Sequence, residues 1–116
     1  MNLKEMVDAL GLEVLTAEGM AADGPDLEGG YASDLLSDVL AHAPQHGVLV
    51  TVQVHMNVVA VSVHAGLAGV IFALGRKPDA AAQARAAEEG IALFASEEPA
   101  FDLVGKLYAL GLRGSV

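Results

Sequence analysis

The sequence has no cysteine and no tryptophan, and its aromatic side chains are only three Phe and two Tyr. Without cysteine there is no disulfide framework, thiol nucleophile or thiolate metal site. The absence suits a reducing cytoplasm, which is the expected compartment. Bases are scarce too: six Lys and Arg stand against fifteen Asp and Glu, a formal charge of −9. Such a balance is repelled by phosphate backbones, so nucleic acid is not an expected partner. The deficit is uneven. Residues 1–58 carry nine acids and one base, Lys4, for −8; residues 59–116 carry six acids and five bases, for −1. An anionic membrane surface would repel the first half in the same way. Long apolar runs are also missing. Val58–Val63 falls well short of the roughly 20 residues that span a bilayer. Thr51 and Gln53 interrupt the run Val48–Val54. The opening Met1-Asn2-Leu3-Lys4-Glu5 places an acid where a signal peptide would be basic. No membrane association is expected.

What is present is apolar: 53% of the 116 residues, with 18% charged. That is enough for one domain over residues 1–116 with its own core, and it argues against disorder. The charged fraction lies below the roughly 25–35% expected on a small domain's surface, which points to a subunit interface.

The patterning alternates helix and strand. Leu3, Met6, Val7 and Leu10 have helical spacing, with a capping box from Asn2 and Glu5 and a stop at Gly11. Leu12–Thr16 alternates like a short strand, with Leu12, Val14 and Thr16 on one side. Residues 17–28, with Gly19, Asp23, Gly24, Pro25 and Asp26, form the one long irregular stretch. Gly29–Ala32 reads as a short strand. Ser33 or Asp34 is then placed to cap a helix bearing Leu35, Leu36, Val39 and Leu40, ended by Pro44 and Gly47. Val48–Val54 reads as a strand covered on both faces. Val58–Ala65 reads as a helix capped near Asn57, although its β-branched residues pull the other way. Ala68–Ala73 is the next strand. Pro78 and Asp79 open an Ala-rich helix that Gly90 stops. Ile91–Ala95 is a strand. A final helix begins between Ser96 and Pro99 and ends at Gly111. Ala100, Leu103, Val104 and Leu107 form one stripe on it, and Phe101 with Tyr108 a second. This rhythm predicts an α/β fold of three layers, a mainly parallel central sheet with helices on both faces.

Motifs for phosphate loops, dinucleotide loops, nucleophile elbows and zinc helices are absent. His42 and His46 have metal-pair spacing, but Pro44 between them breaks the helix they would need. No metal site, no catalytic residue and no particular cofactor is expected. Asp34 and Asp38 share a helix face, ordinarily a solvated edge.

Two segments carry the candidate binding residues: Gly29, Gly30, Tyr31, Ser33 and Asp34 in one, and Gln53, His55 and Asn57 in the other. The second lies at the carboxyl end of the central strand, where open parallel sheets bind ligands, and leads into a helix start that favours an anion. Gly29 and Gly30 allow close backbone approach, Tyr31 offers a ring and a hydroxyl, and Ser33 a hydroxyl. The ordinary reading of the same residues is a Gly-Gly turn, a packed Tyr31, a capping Ser33 and a loop His55.

The run Gly29-Gly30-Tyr31-Ala32-Ser33-Asp34-Leu35-Leu36-Ser37-Asp38-Val39 resembles the core of the DRTGG domain family. Gln53-x-His55-x-Asn57 and the stretch Gly105–Leu112 resemble its small stand-alone members. The likeness extends over essentially the whole chain. The family is similar to the N-terminal domain of HPr kinase/phosphorylase, and also occurs between CBS domains in regulated pyrophosphatases. The resemblance implies a three-layer α/β fold and a non-catalytic regulatory or ligand-sensing role, often with dimerisation. Where the family name spells Asp-Arg-Thr-Gly-Gly, this chain ends in Glu28-Gly29-Gly30 with no Arg before it. A polyphosphate would then need other cations, such as Arg76 and Lys77, or Mg²⁺.

Three functions follow for testing. The first is a homodimeric sensor of a small ligand, with an adenine nucleotide as the candidate. The second is an adaptor subunit for a redox or signalling complex, with no small ligand. The third, an enzyme, would need Ser33, Asp34 and His55 within hydrogen-bond reach of one another.

Overall fold

The structure, a computed structural model, describes residues 1–18 and 20–114. Gly19 of the irregular stretch lies outside the described residues. The elements run α1 (Leu3–Leu10), β1 (Glu13–Thr16), β2 (Gly30–Ala32), α2 (Leu36–His42), β3 (Val48–Thr51), α3 (Asn57–Ala65), β4 (Gly69–Phe72), α4 (Ala80–Glu89), β5 (Ala92–Ala95) and α5 (Ala100–Ala109). The five strands form one sheet in the order β1-β5-β4-β3-β2. β2, β3, β4 and β5 are mutually parallel, and β1 closes the far edge antiparallel to β5.

Strand alternation divides the core in two. Val48, Val50, Ile71, Ala73, Ala92 and Phe94 meet Leu3 and Met6 of α1 and Leu103 and Leu107 of α5. Leu49, Val70, Phe72 and Leu93 meet Val39 of α2, Val58 and Val59 of α3, and Ala82 and Ala86 of α4. The expected three-layer α/β architecture is therefore present. β3, β4 and β5 are buried throughout, so their sequences are continuous apolar runs rather than alternating ones.

Local signals act largely where the sequence places them. Asn2 and Glu5 form the capping box of α1, and Gly11, Gly66 and Gly90 stop α1, α3 and α4 in the left-handed region. The Asp79 carboxylate caps α4 by accepting from the Ala82 N–H at 2.9 Å. Residues 48–65 show one departure from expectation, in β3, and one expectation met against propensity, in α3. β3 ends at Thr51 instead of running to Val54, because side chains take its next backbone donors. The β-branched α3 is helical because Val58, Val59 and Ser62 are buried, so packing overrides propensity.

Two further expectations are corrected. Neither Ser33 nor Asp34 caps α2: Leu35 holds the N-cap position, with no side-chain cap bond. In β1 the pairing with β5 shifts register between Val14 and Thr16. Val14 is turned outward there, while the buried Thr16 hydroxyl donates to the Ile91 carbonyl at 2.7 Å and accepts from the Leu93 N–H at 2.8 Å. The irregular stretch 17–28 is tied down by the Asn2 amide, which donates to the Ala22 carbonyl at 3.2 Å, and by buried Leu27.

Candidate functional site

Five of the eight expected residues gather where β2 and β3 end. β2 stops at Ala32, and the Ser33 N–H still reaches the Val50 carbonyl at 3.3 Å. The Asp34 carboxylate then crosses to β3, accepting from the Thr51 hydroxyl and the Val52 N–H, each at 2.8 Å. Thr51 is buried, and its oxygen also accepts from the Gln53 N–H at 3.0 Å. These bonds replace the sheet ladder and turn the chain, which is the physical reason β3 is short.

The turn continues by a chain of side-chain acceptors. Gln53 Oε1 accepts from the His55 N–H at 3.1 Å, and His55 Nδ1 accepts from the Asn57 N–H at 3.0 Å. An acceptor Nδ1 places the proton of the neutral ring on Nε2. The Ser33 oxygen accepts from the Leu35 N–H at 3.2 Å. The Asp34 Oδ1, Ser33, Thr51, Gln53 Oε1 and His55 Nδ1 acceptors of this edge are thus engaged internally. The Gln53 Nε2 amide, the His55 Nε2–H and the Asn57 side-chain amide carry donors that these bonds leave over, and His55 and Asn57 are exposed. The start of α3 is less open to an anion than expected. Its Asn57 N–H is taken by His55, and its Val58 and Val59 N–H groups donate to the His55 and Met56 carbonyls, each at 3.0 Å.

Gly29, Gly30 and Tyr31 lie elsewhere. Gly29 and Gly30 sit at the amino end of β2, against the C-terminal segment. A Cβ on Gly29 would lie 3.0 Å from the Arg113 carbonyl oxygen and from Pro44 Cγ; one on Gly30 would lie 3.1 Å from a Leu112 methyl. The Gly30 N–H donates to the Arg113 carbonyl at 2.9 Å. Close approach is what these glycines permit, and what approaches is this chain's own Leu112–Gly114. Tyr31 packs with the α2–α4 layer. Its hydroxyl donates to both oxygens of Asp38 at 2.8 Å, and His42 Nδ1 lies 3.0 Å from the same carboxylate. The hydrogen bond from Tyr31, then those from Ser33 and His42, hold the Asp38 carboxyl below its ordinary range against an opposing desolvation. The same bond, followed by desolvation and the Asp38 charge, raises the Tyr31 hydroxyl.

An apolar cavity of about 140 Å³ opens between β2, α5 and the C-terminal segment, lined by Gly30, Val50, Val104, Leu107, Tyr108 and Leu112, among others. The Arg113 guanidinium lies 3.7 Å from the centre of the Tyr108 ring beside it. Sequence reasoning did not find this cavity, nor Thr51 as the anchor of Asp34. Their partners are separated by dozens of residues or by a strand-to-strand crossing, and no spacing rule reports such pairs.

Among the described residues no hydrogen bond joins His55 to Ser33 or Asp34, no group of three His, Cys, Asp or Glu is placed to hold a metal, and no helix is long and apolar enough to cross a membrane.

No protein-family model matches the sequence, and no curated protein matches it. In fold the chain is similar to the CBS and DRTGG domains of the regulatory region of a Clostridium perfringens pyrophosphatase, crystallised with its activator diadenosine tetraphosphate. The TM-score is 0.72 at 11% identity, over 91% of this chain and 45% of that one. This chain therefore spans less than half the length of that regulatory region. The likeness supports a DRTGG-like fold.

Proposed function

We propose that this chain is a stand-alone regulatory module of the DRTGG domain family, non-catalytic, homodimeric and cytoplasmic, that senses a small ligand of the adenine nucleotide class. The observation that carries this reading is the edge where β2 and β3 end. There the Asp34 carboxylate is held through one oxygen by Thr51 and Val52, and Gln53, His55 and Asn57 add side-chain donors within the acidic half of the chain. Donors suit a phosphate or carboxylate group. Gln53, His55, Asn57 and Ser33 are the contacts on this edge, and Asp34 holds it in shape. Gly29, Gly30 and Tyr31 act from the other end of β2 by fixing the strand that carries them. The fold's similarity to a regulatory region crystallised with a dinucleotide activator supports the ligand class.

The −8 of residues 1–58 works against a polyphosphate. Arg76 is exposed just past β4, the strand beside β3, whereas Lys77 is engaged by Glu13 at 2.9 Å. Mg²⁺ would supply the remaining charge. Titration calorimetry with AMP, ADP, ATP and diadenosine polyphosphates, each with and without Mg²⁺, tests the reading. Saturable binding by one of them, weakened at least tenfold in His55→Ala by loss of its donor, is expected. Silence across the panel overturns the nucleotide class. The exposed apolar face of α5 favours a second reading, an adaptor for a redox or signalling complex with no small ligand, which predicts that silence together with co-purification of a defined partner.

A further inference from the structure

The last helix has two apolar faces, and only one of them is packed into the core. Leu103 and Leu107 point into the core. Phe101, Val104, Gly105 and Tyr108 follow the same i, i+3, i+4, i+7 spacing on the outer side, where Phe101 is 89% exposed, Tyr108 58% and Val104 38%. Among the described residues neither packing nor backbone angle requires a glycine at the Gly105 position. A Cβ there would meet nothing within 4 Å, and its φ lies outside the left-handed range. A glycine in the middle of an exposed helix weakens the helix without helping its own packing. It becomes useful if another backbone comes close.

From these features we infer that the outer face of α5 is the surface through which two copies of this chain pair, α5 against α5 and antiparallel, with Phe101 of each copy seated in the apolar cavity of the other. The inference rests on the homodimeric part of the function proposed above and names its surface.

Three observations select a second copy as the occupant. The face holds both a knob and a hole, as a two-fold interface requires. With the axis passing between Val104 and Gly105, Phe101 of one copy falls beside Tyr108 of the other, at the mouth of the cavity. Size agrees as well. The cavity measures about 140 Å³, and an apolar cavity of about 150 Å³ is known to accept benzene, which is the size of a phenyl ring. Charge is the third. Residues 100–114 hold one acid and two bases, +1 in a chain of −9. Two acidic copies repel each other least through this face. The Arg113 guanidinium over Tyr108 rims the hole, giving the incoming ring an aromatic and cationic edge.

The experiment is sedimentation velocity on the whole chain at micromolar concentration, with Phe101→Ser beside it and a cross-linking pair. The chain has no cysteine, so single cysteines report without background. Val104→Cys, next to the axis, is expected to give a disulfide-linked dimer on oxidation. Ala84→Cys, on the exposed side of α4, is expected not to. Phe101→Ser is expected to weaken the dimer at least tenfold. It should leave the circular-dichroism melt of the monomer unchanged, since the side chain touches little of its own fold. A dimer that survives Phe101→Ser, or that cross-links through Ala84→Cys instead, overturns the α5 surface and leaves the homodimer reading standing. A chain that is monomeric throughout overturns both. Ligand sensing is read separately, by calorimetry at the His55 edge.

Discussion

α4 and α5 are both ten residues long, both follow a proline closely, and both bury two positions one turn apart against the sheet. Their outer faces differ. α4 buries Ala82 and Ala86 and turns Ala80, Ala81, Ala84, Arg85, Glu88 and Glu89 outward, with Arg85 paired to Glu89 at 3.1 Å. α5 buries Leu103 and Leu107 and turns Phe101, Val104 and Tyr108 outward. The fold asks the same of both helices, one face against the sheet. The apolar side chains on the outer side of α5 are therefore more than packing against the sheet requires. Scattered exposed apolar residues need no explanation, but a contiguous stripe beside an apolar cavity does.

The sharpest way to break this contrast is to compare truncations on the two sides of α5. Leu103 is fully buried, and Leu103→Ala should cost about 2–5 kcal/mol by the lost burial and the cavity left behind. Phe101→Ala in dilute, monomeric protein should stay within about 0.5 kcal/mol of the parent, as exposed positions do. Urea unfolding at low protein concentration measures both. If Phe101→Ala costs as much as Leu103→Ala, the outer face belongs to the fold after all and the contrast disappears.

The elements differ in how far the sequence could report them, and the reason lies in contact range. Val48–Thr51 and Gly69–Phe72 are short, apolar, bounded by breakers and spaced by a helix, so the parallel core and its three layers can be read from local pattern. β1 has the same alternation whichever way it runs. Its antiparallel place beside β5 depends on contacts about 80 residues away, such as Glu13 with Ala95. The candidate site divides along the same line. Gln53 and His55 each accept from the N–H two residues on, ending at Asn57, and the clustering of the three at a strand end was legible. Asp34 looked like a helix cap because Asp commonly is one, yet its carboxylate goes 17 residues ahead to Thr51. Gly29 and Gly30 looked open to a ligand because nothing in positions 112–114 marks that tail as their neighbour.

A smaller effect sharpens the comparison by exchanging the helices' residues. Ala84 on α4 and Gly105 on α5 are both exposed mid-helix positions. Ala84→Gly should destabilise by about 0.8–1.0 kcal/mol through backbone entropy, and Gly105→Ala should stabilise the monomer by about the same amount. If the α5 face is a contact between copies, Gly105→Ala also weakens the dimer, so its melting temperature rises at low concentration and gains less at high concentration. A change that raises stability equally at all concentrations would show that Gly105 serves no close approach.

The smallest expected effect concerns the strand beneath the cavity. β2 lends Gly30 to the cavity on the α5 side, while its Tyr31 is pinned to the α2 side through Asp38. Tyr31→Phe removes that pin and should lower stability slightly, by an amount that depends on pH. Asp38 titrates below its ordinary range in the folded chain, so its contribution is present above the unfolded value and is lost as pH falls through the lowered one. Tyr31 titrates above its ordinary range, so its contribution is present below the unfolded value and is lost as pH rises through the raised one. The melting difference between parent and Tyr31→Phe should therefore be greatest near neutrality and narrow at both the acid and the alkaline ends. A difference that stays constant with pH would mean that the hydroxyl acts through packing alone. The two sides of the sheet would then be less distinct, with Tyr31 fixed by its ring as Phe101 is proposed to be.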